Sequence, residues 1–331
     1  MESRGHPRRM RLVEAEGGLL QRIVAMTPLV ARHGLSRDTF AKYDAALART
    51  PWALRHRRRF ALMQADDVLA SAERYDLTGS LDRQLVTICG IASVFDDGTD
   101  DERSSYGSIL VEQLIEDAVR EGADLALLFQ STTPACPVPD GFTVVPTTDV
   151  ELRVTESSRY GAPMTLVRGG EDRDLQAIVA MGHVRAAPFR FHLDRDADLI
   201  KHALTRKRLL AGLGLAGGRQ LEFVIAEEGI TAAAYIVLSI VGHTWTIEEC
   251  GDRDASGARV GAILQALIAR EPAESRPVMR GWLPPGFQPP QVVIASAAPT
   301  PPIVLARVLS SRVRSLYLTA PEVMYWRSDL F

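Results

Sequence analysis

Cysteine is scarce in this sequence: Cys89, Cys136 and Cys250 are the only three. An odd number at such wide spacing fits no zinc pattern and argues against a disulfide framework. The compartment it implies is a reducing cytoplasm. An excess of one charge is also lacking, since 38 Lys and Arg nearly balance 41 Asp and Glu for a formal net charge of −3. That balance provides no field to hold nucleic acid or an anionic membrane, so neither is expected as a partner. Long apolar runs are missing too. The longest, such as 232–241, fall well short of the roughly 20 residues that a helix needs to span a bilayer. The basic stretch Met1 to Arg11 has no apolar core behind it, so it is not read as a secretory signal.

What is present is ordinary for a globular chain: 46% hydrophobic and 24% charged residues in a length of 331. At roughly 100–200 residues per domain, two domains are expected. A short strand is predicted at 11–15, then helices at 18–30 and 36–49, the second stopped by Pro51. The basic run Arg55-His56-Arg57-Arg58-Arg59 reads as an anion-binding patch or as a solvated helix end where cations favour the dipole, and the second reading is preferred. Residues 60–75 and 85–95 read as strands separated by the turn-like Leu77-Thr78-Gly79-Ser80. The second of these is almost wholly apolar, as a strand buried on both faces would be.

A polar loop is expected at 96–105. An amphipathic helix at 108–121 follows, closed by Gly122, and then a buried strand at 123–129. Strand, loop, helix and strand make a βαβ unit. Later, a strand at 150–154 and a helix at 196–210 lead into strands at 221–226, 231–241 and 244–249. The loop 251–257 and a helix at 258–270 then repeat the order strand, polar loop, helix, which points to an internal duplication. The proline-dense segment 284–302 holds one strand, and the chain closes on an aromatic tail.

The run Gly90-Ile91-Ala92-Ser93-Val94-Phe95, the polar loop and the helix after it resemble the GNAT (GCN5-related) N-acetyltransferase superfamily. The resemblance implies a mixed-sheet α/β fold in which one strand opens and its backbone pairs with the pantetheine arm of acetyl-CoA. The next loop and the helix start then take the pyrophosphate, because unpaired N–H groups and the helix dipole favour an anion. Carried onto this sequence, the cofactor-binding residues are Ser93, Val94, Phe95, Arg103, Ser104, Ser105, Tyr106, Gly107 and Ser108. The family's loop pattern is (Gln/Arg)-x-x-Gly-x-(Gly/Ala). Gly107 fits it, whereas Ser105 replaces the first glycine and Glu102 the basic or amide residue. Asp96, Asp97, Asp100 and Asp101 add negative charge where a pyrophosphate is expected. Their spacing is not that of a calcium-binding EF-hand loop, and no metal is expected.

The order of units resembles the enhanced-intracellular-survival type of acetyltransferase and related lysine-modifying bacterial proteins. That implies a first GNAT-like domain at 1–155, a connecting segment at 156–215 and a second, degenerate GNAT-like domain at 216–331. In the former family the chain's terminal carboxylate is a base and the last residue is phenylalanine, which makes Phe331 a candidate. Glu248 and Glu249, paired at a strand end, are further candidate bases. The family's thiolate-protonating tyrosine aligns with Pro137, leaving its neighbour Cys136 as a candidate acid. Trp282, Tyr325 and Trp326 are expected in the core or in the wall of a substrate pocket.

Three functions follow from these residues. One is an N-acyltransferase passing the acyl group of acyl-CoA to a primary amine of a small molecule or lysine side chain, as a monomer or homo-oligomer. The second is a catalytically inactive ligand-binding or structural protein with an eroded CoA site. The third places the active unit in the second half, with Arg253 in its loop.

Overall fold

The computed structural model describes residues 10–29, 31–96, 100–130, 138–155, 166–215, 217–301 and 303–331, without the side chains of 100–105 and 273. The chain opens with strand β1 (Arg11–Glu14) and helices α1 (Gly17–Met26), α2 (Arg37–Ala48) and α3 (Pro51–His56). Next come the strands β2 (Arg57–Gln64), β3 (Asp67–Leu81) and β4 (Gln84–Asp96), helix α4 (Asp100–Arg120) and β5 (Leu125–Phe129). The middle holds β6 (Thr143–Val144), β7 (Thr148–Val154), β8 (Leu166–Gly169), α5 (Leu175–Ala186), β9 (Phe191–Leu193) and α6 (Ala197–Leu213). Strands β10 (Gln220–Glu228), β11 (Thr231–Val241) and β12 (Thr244–Asp252), helix α7 (Ala258–Ile268) and β13 (Val278–Gly281) follow. The last elements are β14 (Val292–Pro299), β15 (Val304–Val308), β16 (Val323–Met324) and a 3-10 turn, Arg327–Asp329.

These strands make two mixed sheets. The first has the order β1-β2-β3-β4-β5-β15-β6, with β9 joining the far end of β3 to β16. The second runs β14-β7-β13-β12-β11-β10-β8. The apolar stripe of α4, with Leu110, Leu114 and Ala118, packs on Cys89 and Ile91 of β4 and Ala126 and Leu128 of β5. Trp52, Tyr75 and Ile88 belong to the core on the other face, together with Trp282 and Tyr325. Helix α7 packs on one face of the second sheet, and α5 and α6 pack on the other. No described helix is long and apolar enough to cross a membrane.

Each sheet contains the same local plan. An antiparallel meander (β2-β3-β4, then β10-β11-β12) is followed by a helix and a strand parallel to the last of the three. The two sheets also exchange strands across the boundaries expected at 155 and 215. Strand β7 pairs with β13 and β14 in the second sheet, while β15 returns to lie between β5 and β6 in the first.

Several predicted elements differ. The expected single strand at 60–75 is two strands, with the turn at Ala65, a residue at φ 55°. The turn-like Leu77-Thr78-Gly79-Ser80 lies inside β3, and the hairpin turns instead at Asp82 and Arg83, whose φ values are 52° and 65°. Gly79 has a packing reason: a Cβ there would stand 2.7 Å from the carbonyl oxygen of His192 on β9. The loop expected at 96–105 is largely the first turns of α4. Arg57 and Arg59 do not form a solvated helix end, because they open β2 and their side chains are 8% and 9% exposed.

Gly79→Ala should therefore cost about 1–3 kcal/mol through overpacking against backbone that cannot give way. Thermal unfolding checks this, and an unchanged midpoint would show that β9 does not approach β3 this closely.

Candidate active site

Strand β4 outruns its parallel neighbour. Ile88 to Ile91 pair with Leu125 to Leu128 of β5, and Ala92 to Asp96 continue without it. A bulge sits where the two part. Glu73 of β3 faces Ala92, while Ser71 faces Phe95, so β4 carries one residue more than β3 across this step. Ser93 takes up the extra length at φ 51°. Bulges bend a strand and interrupt its ladder. Ser93, Val94 and Phe95 therefore lie on a strand edge that β5 does not cover. Among the other predicted cofactor residues, Arg103, Ser104, Ser105, Tyr106, Gly107 and Ser108 all fall in the first turns of α4.

The end of β4 closes onto that helix. The Asp96 carboxylate accepts the Gly107 N–H at 2.8 Å. A Cβ at Gly107 would be 3.2 Å from the same oxygen. Glycine thus lets the carboxylate reach a backbone donor, and the donor is one that the resemblance gives to pyrophosphate.

The second unit repeats both features. Val237 faces Glu249 while Leu238 faces Ile247, so Glu248 is the extra residue of a bulge in β12. Pairing with β13 stops at Ile247, and β12 runs on to Asp252. The Asp252 carboxylate, fully buried, accepts the N–H groups of Arg259 and Val260 at 2.8 and 3.4 Å. In both units the last residue of the outrunning strand is an aspartate bonded to the backbone of the crossover helix.

The surroundings of the two bulges differ. Lys207 Nζ lies 2.8 Å from Glu248, and the 3-10 turn Arg327–Asp329 packs close to β12. Arg195 is hydrogen-bonded to Glu249 at 2.5 Å and to Asp329 at 3.0 Å, and the Ser328 hydroxyl also donates to Glu249. Burial opposes ionisation of Glu248, and the Lys207 ammonium outweighs it, so the carboxyl is held below the usual range. Burial raises Asp329 to about 6 despite Arg195. Sequence reading offers Glu248 and Glu249 as candidate bases; in the structure they are paired with the half-buried cations Lys207 and Arg195.

Phe331 lies beside the first unit. Its ring centroid is 4.5 Å from Tyr75, 5.3 Å from Phe129 and 5.5 Å from Trp52. Arg206 reaches over the same ring at 5.9 Å and donates to the Ser328 carbonyl at 2.9 Å. Phe331 and the end of β5 are thus brought together, while Glu248 and Glu249 belong to the other unit. Cys136 and Pro137 lie outside the described residues.

Sequence reading missed the polar cluster behind this wall. Glu73, across from Ala92, accepts from Arg57 at 2.7 Å and from Arg59 and the Tyr75 hydroxyl. The same Arg57 Nη2 also donates to Asp44 at 2.5 Å. Burial pushes the Glu73 carboxyl up, but Arg57 and Arg59 hold it well below the usual range. Burial and the Glu73 charge push Tyr75 well up. A carboxylate so strongly held by two guanidiniums is a weak base, so the cluster serves as a rigid wall. The clue in the sequence was alternation, since Arg57 and Arg59 sit on one face of a strand. Among the described residues no group of three or more His, Cys, Asp or Glu side chains is arranged to hold a metal ion.

Solved structures with a similar fold come from several bacteria. A probable N-acyltransferase from Enterococcus faecalis V583 superposes with TM-score 0.62 at 12% identity, over 91% of this chain and 73% of that one. A GCN5-related N-acetyltransferase from Anabaena variabilis gives 0.63 at 11%, with the same coverage. The fold is that of the GNAT N-acetyltransferases. Eis1 from Mycobacterium abscessus has it too, with TM-score 0.55 at 14% identity over 91% of this chain and 74% of that one. No protein-family model matches the sequence, and no curated protein does. At such identities the likeness is one of fold. In this fold β12 stands in the second unit where β4 stands in the first, a tandem-like layout.

His202 supplies a pH test of the wall. It is 2% exposed, tilted against Trp52 at 4.7 Å and bonded through Nδ1 to the Thr50 hydroxyl at 2.8 Å. Burial first, and then the charges of Arg206 and Arg57, lower its pKa from 6.5 to about 3. In the unfolded chain the ring takes up a proton near pH 6.5, and in the folded protein it does not until about pH 3. Its contribution to stability is therefore complete above 6.5 and is lost as the pH falls toward 3. Denaturant unfolding from pH 7 to 4 should show a shallower loss in His202→Gln than in the parent, by up to about 1.4 kcal/mol per pH unit. Parallel curves would contradict this.

Proposed function

We propose that the protein is an N-acyltransferase that lays acyl-CoA along the open edge of β4 and passes the acyl group to a primary amine. The acceptor is a small molecule or a lysine side chain. The observation that carries this reading is the bulged edge from Ala92 to Asp96, which continues past β5 and whose last residue bonds to α4. Backbone donors on that edge orient the thioester carbonyl and receive the charge that develops on its oxygen. The amine nitrogen attacks the carbonyl carbon, the C–S bond breaks, and the CoA thiolate leaves and takes up a proton. Of the expected bases, Glu248 and Glu249 are tied to Lys207 and Arg195. The reading therefore keeps Phe331, through its main-chain carboxylate, as acceptor of the amine proton.

The first unit is preferred over the second for a physical reason. Asp252 holds two helix N–H groups and an arginine, and the turn at Arg327–Asp329 packs on β12. At β4 the Asp96 carboxylate accepts the Gly107 N–H of α4. That same bond favours a second reading, a non-catalytic GNAT-like protein whose own carboxylate replaces the pyrophosphate.

Calorimetric titration with acetyl-CoA separates them. A pyrophosphate must displace Asp96, so Asp96→Ala should tighten binding about tenfold, the equivalent of 1.4 kcal/mol. Arg253→Glu, in the second unit, should leave the affinity unchanged. No binding by either the parent or Asp96→Ala at millimolar ligand would contradict the acyltransferase reading and support the non-catalytic one.

A further inference from the structure

A second cavity, apart from the β4 edge, lies where the two sheets meet. Its volume is about 340 Å³, inside the range of small-molecule sites. One wall is Thr147, Thr148 and Val150, where the chain passes from β6 into β7. The opposite wall is Trp282 and the loop after β13, which includes Phe287. The C-terminal segment with Pro321 and Tyr325 closes the third side.

Among the described residues no Asp, Glu, Lys, Arg or His lines this cavity. A charged ligand would lose its hydration there without finding a counter-charge, which is expensive. Pro146, Pro284, Pro285 and Pro321 also line it, and proline has no N–H to offer.

The aromatic walls present carbon, because their polar ends are used elsewhere. Trp282 Nε1 donates to Asp149 at 2.5 Å, and the Tyr325 hydroxyl donates to the Asp329 carbonyl at 2.8 Å. Arg327 lies over the Trp282 ring at 5.2 Å and also bonds to Asp149. Trp282 is therefore fixed before any ligand arrives. The Thr147 hydroxyl is bonded to Thr300 at 2.5 Å, whereas the Thr148 hydroxyl has no partner among the described residues.

From this lining we infer that the cavity binds a neutral aromatic small molecule carrying a hydroxyl or carbonyl group, with its ring against Trp282, Phe287 and Tyr325 and its polar group on Thr148. Aromatic faces favour such rings beyond simple burial. The inference does not depend on acyl-CoA binding at β4.

Titration calorimetry with 2-naphthol, with naphthalene-2-sulfonate as the charged analogue of similar shape, tests it. The expected result is saturable binding of 2-naphthol, at least tenfold tighter than the sulfonate. Ala297→Trp adds a ring from the exposed lining residue Ala297 on β14 and should abolish the binding. Thr148→Val keeps the shape and should weaken 2-naphthol about three- to tenfold, without affecting naphthalene itself. Circular dichroism confirms that both variants are folded. Equal binding of the neutral and charged probes, no saturable binding of 2-naphthol, or full binding by a folded Ala297→Trp protein would each overturn the proposal.

Discussion

The buried guanidinium of Arg195 ties together the parts on which the rest of the structure depends. It follows β9 of the first sheet, bonds to Glu249 on β12 of the second, and bonds to Asp329 near the end of the chain. Two residues after Asp329, the Phe331 ring stacks against Trp52, Tyr75 and Phe129. Breaking a buried charge pair from one side leaves an uncompensated charge, which costs far more than an exposed pair is worth. The last turn of the chain is therefore held in one place, and with it the aromatic wall beside the opening of β4.

That wall is coupled to the polar cluster behind it. Tyr75 donates to Glu73, which Arg57 and Arg59 hold in turn, and Asp44 completes the set. Every member is nearly buried, and the two charges of each sign balance. Such a network fixes side-chain positions more than it adds stability. The two units then part company by what surrounds their bulges. At β12 the extra residue, Glu248, is taken by Lys207, and the neighbouring glutamate by Arg195. At β4 the extra residue is Ser93, small and exposed, and the edge beside it stays uncovered by β5.

Much of this was legible in the residues. A nearly all-apolar run from Val86 to Phe95 marked β4 as central, and Ile109, Leu110, Leu114, Ile115 and Val119 at helical spacing marked α4. The repeated order of strand, loop and helix is visible as two meanders with crossover helices. What failed has physical causes in partners distant in sequence. Gly79 looked like a turn because glycine commonly makes one, but it is there to admit β9. Arg57 and Arg59 looked like surface because charge runs usually are, and no local pattern shows that Asp44 and Glu73 will meet them. Strands β9 and β16 are too short to carry a periodic signal. The acidic loop was read as unfavourable to pyrophosphate; that Asp96 meets the Gly107 N–H depends on how the strand end and the helix pack, which no local pattern shows.

Hydrogen–deuterium exchange read residue by residue, with and without saturating acetyl-CoA, tests the central claim most directly. If acyl-CoA lies along β4, exchange should slow at the amides of 92–96 and at Gly107, with no change over 248–260. Protection confined to 248–260, or no protection in either unit, would contradict the account.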